Sequence, residues 1–95
     1  MIRHIVAFRL NDTATPEAVE RIRSELAGLT CPGRVAFTMG PDLGLRPGNL
    51  DVALVADFVD VEAYQSYDDD PEHDRIRREL IAPVSARIER CQFQL

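Results

Sequence analysis

The sequence predicts an α+β fold in which four strands alternate with helices in the order β-α-β-β-α-β along a chain of 95 residues. Three observations carry that prediction. Apolar residues recur at every second position in four separate stretches, the period of a strand with one buried face. A triplet of cap, proline and acid occurs twice, as Thr15-Pro16-Glu17 and Asp70-Pro71-Glu72, and each opens a stretch with helical spacing. No repeat or low-complexity tract interrupts the chain, so residues 1–95 read as a single domain.

The first strand is Ile2 to Leu10. Ile2, His4, Val6, Phe8 and Leu10 share one face, and Arg3, Ile5, Ala7 and Arg9 share the other. In the following helix Thr15 is the N-cap and Pro16 the first helical residue, with Glu17 at the positive end. Val19, Ile22, Leu26 and Leu29 form one apolar stripe along it, and the helix ends near Gly28. Val35, Phe37 and Met39 alternate in a second strand, and Gly40 to Asn49 reads as a loop. Asp51 to Val59 is a third strand with Val52, Leu54, Ala56 and Phe58 on one face and Ala53 and Val55 on the other, so both faces need cover. Asp60 caps a short helix holding Ala63, Tyr64 and Tyr67. Asp70 caps another, with Ile76 and Leu80 facing inward until Pro83 stops it. Ile88 to Leu95 closes the chain as a strand with Cys91, Phe93 and Leu95 on one face.

This order is the ferredoxin-like arrangement, a four-stranded antiparallel sheet with its helices on one face. The helices can cover only one side. Ile5, Ala7, Ala53 and Val55 fall on the other, too apolar to be left against water in so small a domain. A second copy packing sheet to sheet would cover them, which predicts a homodimer in the form of a dimeric α/β barrel.

Composition narrows the partners. Sixteen acidic residues outnumber 11 basic ones, all arginine, for a net charge of −5. That opposes binding to nucleic acid or to an anionic membrane surface, both of which call for a basic face. The longest apolar run, Val52 to Ala56, is far too short to span a bilayer, and the sequence begins directly with a strand-like pattern at Ile2. Cys31 and Cys91 form no C-x-x-C pair and suit a reducing cytoplasm.

MIRHIVAFRL, DVALVADF followed by DVEAYQSY, DPEH and LIAPVSARIERCQFQL together resemble the stress-responsive dimeric α/β barrel domain family. The ordered set Tyr64-x-x-Tyr67-x-x-x-Pro71-Glu72-His73, followed by Ile81-Ala82-Pro83, is its most specific part. The resemblance implies a ferredoxin-like dimer with a pocket between helices and sheet in each subunit. It extends distantly to the family's plant polyketide cyclase branch, the olivetolic acid cyclase type, which works without a cofactor. That likeness implies His73 as a catalytic histidine, Tyr67 as its companion and His4 as a third member. The first helix departs from the branch, with Val19, Ile22 and Leu26 where the cyclase has aromatic residues.

The residues themselves leave two readings open. His73 falls on the inner side of its helix near the N-terminus, where burial and the helix dipole favour the neutral imidazole that a general base needs. It could equally bond a carbonyl or carboxylate and pin the corner between two helices. Tyr67 is either a hydrogen-bond donor to a substrate carbonyl or a core aromatic. His4 is either a third site residue or a hydrogen-bonded core histidine. Val19, Ile22 and Phe58 are the apolar residues expected to line the pocket around a small apolar ligand. No spacing suggests a metal site, and no cofactor is expected; a haem- or quinone-handling monooxygenase is a third, weaker reading, lowered by the absence of Trp and of an axial-ligand pattern.

Overall fold

A computed structural model describes residues 1–95. The elements are β1 (Ile2–Leu10), α1 (Pro16–Ala27), β2 (Arg34–Pro41), β3 (Val52–Phe58), α2 (Val61–Asp69), α3 (Pro71–Ile76) and β4 (Ser85–Gln94). A π-helical turn, Arg77–Ile81, and a 3-10 turn, Ala82–Val84, connect α3 to β4. The strands form one antiparallel sheet in the order β2-β3-β1-β4. β3 thus lies between β1 and β2, the split β-α-β arrangement of ferredoxin-like folds.

Each helix starts where its side-chain cap predicts. Thr15 Oγ1 accepts from the backbone N–H of Ala18 at 3.1 Å, Asp60 from Ala63 at 2.8 Å and Asp70 from His73 at 2.9 Å. These bonds satisfy amides that would otherwise be orphaned in the first turn. Gly33 is required where α1 returns to β2. Its φ is +87°, and a Cβ there would stand 2.6 Å from the Cβ of Ala63.

Two strands are longer than their apolar pattern. β2 takes in Gly40 and Pro41, because it is an edge strand and Pro41 can pair with Val52 while its missing N–H faces outward. β4 begins at Ser85, three residues before the alternation starts at Ile88, because Leu10 still pairs there across a shift in register. A second register shift lies between Arg34 and Ala36. It leaves Val35 more than half exposed, out of step with Phe37 and Met39.

Val6 and Phe8 of β1 and Leu54 of β3 pack under Ile22 and Leu26 of α1 and Ile76 of α3. A second cluster joins Ile2, Ala56 and Phe58 to Tyr67. All of these strand residues lie on the face beneath the helices. The opposite face has no cover. Across it run Thr38, Val55, Ile5 and Cys91 in one row and Gly40, Ala53, Ala7 and Glu89 in the next. Ion pairs bound this apolar strip at both ends: Arg3 forks onto Asp57 at 2.8 and 2.9 Å, and Arg9 reaches Asp51 at 3.4 Å. Leu43 and Leu45, about four-fifths exposed, border the same depression as Ala7 and Ala53. The loop after β2 therefore lies beside the bare face.

Candidate functional site

A cavity of about 340 Å³ opens between β1 and β4 on one side and α2, α3 and the π-helical turn on the other. Val6, Phe8, Leu26, Leu54, Ile81 and Ile88 form its apolar wall. His4, Tyr67 and His73 stand together at its polar end. The Tyr67 ring stacks on the His73 ring with centroids 3.9 Å apart, and the His4 ring meets Tyr67 edge-on at 6.1 Å.

The two histidines are held in opposite tautomers. His73 Nδ1 lies 2.8 Å from the backbone carbonyl of Tyr67. A carbonyl only accepts, so Nδ1 carries the proton and Nε2 of the neutral ring is a bare acceptor. His4 Nδ1 lies 2.9 Å from the side-chain amide nitrogen of Gln92. An amide nitrogen only donates, so Nδ1 of His4 accepts and its Nε2 carries the proton. No fully buried side-chain nitrogen or oxygen lacks a partner. The atoms left without one at this end, His73 Nε2, His4 Nε2 and the Tyr67 hydroxyl, are therefore the ones that open onto the cavity.

Burial keeps all three groups uncharged at neutral pH. It lowers the pKa of His4 to about 4, helped by His73 and the Arg90 guanidinium. It also lowers that of His73; the bond to the Tyr67 carbonyl and the charges of Asp68 and Asp70 act the other way without overcoming it. The Tyr67 phenol is pushed up to about 12, again mainly by burial. The site is thus an apolar chamber with one bare base and two donors at one end.

The elements explain the convergence. The Asp70 cap starts α3 one residue after α2 ends, so His73 folds back beneath Tyr67. Arg77 braces the same corner, donating to the Asp68 carboxylate at 2.9 Å and to the Asp68 carbonyl at 2.7 Å. The helix then widens into its π-helical turn at the point where Arg77, Arg78 and Ile81 reach the cavity wall. The His73 ring thus pins the corner through Nδ1, while its Nε2 has no hydrogen-bond partner.

The apolar lining differs from expectation. Phe58 and Ile22 do not reach this cavity: they are 0% and 4% exposed, closed in by their neighbours in the core. Val19 lies further along α1, beside Leu10, Thr15 and Val52 in a separate shallow depression. The helical stripe placed these residues on an inner face, but the layer spacing between α1 and β3 leaves no room there. Among the lining residues that sequence reasoning missed are Leu54, Asp68, Arg77, Ile81, Ile88 and Arg90. For Ile88 and Arg90 the signal was alternation on β4, which puts them with Gln92 on the face that pairs with Phe8, Val6 and His4. No group of three or more His, Cys, Asp or Glu side chains is placed to hold a metal ion.

Fold and cavity together define a ferredoxin-like α+β domain with a ligand-sized chamber between sheet and helices. The chain belongs to the Stress Responsive A/B Barrel Domain family, whose model matches residues 2–93. It is similar to a dimeric ferredoxin-like protein of unknown function from Thermobifida fusca at 41% identity, with 99% of this chain and 90% of that one covered and a TM-score of 0.88. The fold is shared with a hydroxynitrile lyase from Passiflora edulis at 20% identity, 99% and 92% coverage and a TM-score of 0.85. It is also shared with SnoaB, a cofactor-independent oxygenase from Streptomyces nogalater, at 19% identity, 99% and 91% coverage and a TM-score of 0.79. No curated protein matches the chain significantly.

Proposed function

We propose that this protein is a homodimer whose subunits each hold a small, largely apolar molecule in the chamber between helices and sheet. The observation that carries the reading is the cavity of about 340 Å³ itself, which joins an apolar wall to charged side chains and to three partnerless polar atoms on His4, Tyr67 and His73. That is the usual make-up of a small-molecule site. The dimer is supported by the bare apolar face and by the Thermobifida fusca relative, which is described as dimeric. No helix is long and apolar enough to cross a membrane, and two free cysteines suit a reducing compartment, so we place the protein in the cytoplasm. Native mass spectrometry of freshly purified protein tests the binding reading. A retained small molecule is expected; an empty chamber together with no thermal shift across a broad ligand panel overturns it.

The opposite tautomers favour a second, catalytic reading: cofactor-free proton transfer of the polyketide cyclase type. His73 Nε2 takes a proton from the carbon next to a carbonyl. His4 Nε2–H and the Tyr67 hydroxyl donate to that carbonyl's oxygen as negative charge gathers on it. Ethyl 3-oxohexanoate in D₂O is a suitable probe, since its C2 protons are already acidic. Wild-type protein should speed their exchange above buffer, and His73→Gln should lower the protein-dependent rate by about 10²–10⁴. Equal exchange by both proteins removes His73 as the base.

A further inference from the structure

Arg90 stands apart from the other charged groups of the cavity. Of the five that line it, Arg77 is paired with Asp68 at 2.9 Å and with Asp74 at 3.8 Å, and Arg78 with Asp74 at 3.0 Å. The Arg90 side chain is exposed and makes no hydrogen bond and no ion pair, whereas eight of the other ten arginines have a carboxylate partner. Three arginines against two aspartates leave the wall with one net positive charge in a chain of net charge −5. The location is specific. Arg90 lies opposite Val6 in the β1–β4 register, one position along that face from the His4–Gln92 pair. The guanidinium therefore stands beside the polar end, with the apolar wall running away from it past Phe8 and Ile88.

We propose that Arg90 is the recognition cation of this site, and that the molecule held in the chamber carries a carboxylate at the polar end, where Arg90, the His4 Nε2–H and the Tyr67 hydroxyl can donate to it. The inference rests on the reading of the chamber as a ligand site and adds to it the class of ligand: an apolar acid. A planar guanidinium matches a carboxylate with two parallel hydrogen bonds. A phosphate ester, with its larger charge, fits less well next to Asp68 and Asp74.

Calorimetry with octanoate and octanamide tests the assignment, because the two probes share an apolar body and differ in charge. Wild-type protein should bind octanoate about tenfold more tightly than octanamide at low salt. Arg90→Gln should erase that preference, chiefly by weakening octanoate; with no side-chain partner to lose, the variant should fold as the wild type does. Equal affinities for the two probes in the wild type, or a preference that survives Arg90→Gln, overturns the role of Arg90 while octanamide binding keeps the chamber reading intact. Failure of both probes to bind overturns the two together. Tighter binding of octyl phosphate than of octanoate, lost in Arg90→Gln, overturns the carboxylate in favour of a phosphate ester.

Discussion

The two faces of the sheet share one backbone and both present apolar side chains, yet they handle polar groups in opposite ways. On the bare face, Arg3 is satisfied by Asp57 and Arg9 by Asp51, each across neighbouring strands. What remains between them is Ile5, Ala7, Ala53 and Val55, an apolar strip with no free polar atom in its middle. On the covered face, His4, Tyr67 and His73 each keep one atom unpaired, aimed into a chamber. The difference teaches how to separate an interface from a site: self-satisfied charges around an apolar centre suit association, whereas unpaired polar atoms in an apolar recess suit a ligand.

Four experiments test that contrast. The largest effect is expected in the packed part of the covered face. Phe58→Ala should cost about 3–5 kcal/mol in denaturant unfolding, since the ring is fully enclosed by Ile2, Ala56, Tyr67 and Tyr64. A loss under about 1 kcal/mol would mean that Phe58 faces open space after all.

Val55→Asp acts on the other face. It should weaken self-association by about a hundredfold or more, because a charge without a partner would be buried between the two sheets. Light scattering would then record the mass of one chain in place of two. An unchanged mass would show that the bare strip is not where the copies meet.

Between pH 6.5 and about 4, acid should act chiefly through the histidines of the covered face, whereas Asp57 on the bare face, held low by its hydrogen bond to Arg3, responds only at lower pH. His4 has a folded-state pKa of about 4 against about 6.5 unfolded. The unfolded chain therefore binds the proton first, and stability present above pH 6.5 is lost as pH falls towards 4. His73, shifted in the same direction, adds to the slope. The loss should be on the order of 2–3 kcal/mol for His4. His4→Gln should flatten the stability profile in that window, and an unaltered slope would show that His4 is not the group responsible.

The smallest effect concerns the corner that presents His73. Asp70→Ala removes the cap that accepts from the His73 N–H and should cost about 1 kcal/mol. Proton exchange on the oxo ester should fall further than this stability loss explains, because α3 would no longer hold the imidazole beneath Tyr67. Exchange that tracks only the folded fraction would show that the cap has no part in placing the base.

Local chemistry was enough to determine the elements. Alternation marked the four strands, and Thr15, Asp60 and Asp70 marked the helix starts, because a cap and a two-residue period act within a few positions of one chain. The pairing of Tyr67 with His73 was equally legible, since one short turn separates them. Tertiary structure decided the rest. Arg90 and Ile88 joined the chamber only through the register of β4 against β1, and Phe58 and Ile22 left it because the layers close tightly over them. Which nitrogen of each histidine carries the proton was likewise set by Gln92, which is 88 residues from His4, and by a carbonyl whose direction depends on how α2 ends. A side chain's type is written in the sequence; whether its last polar atom finds a partner depends on what long-range packing brings beside it.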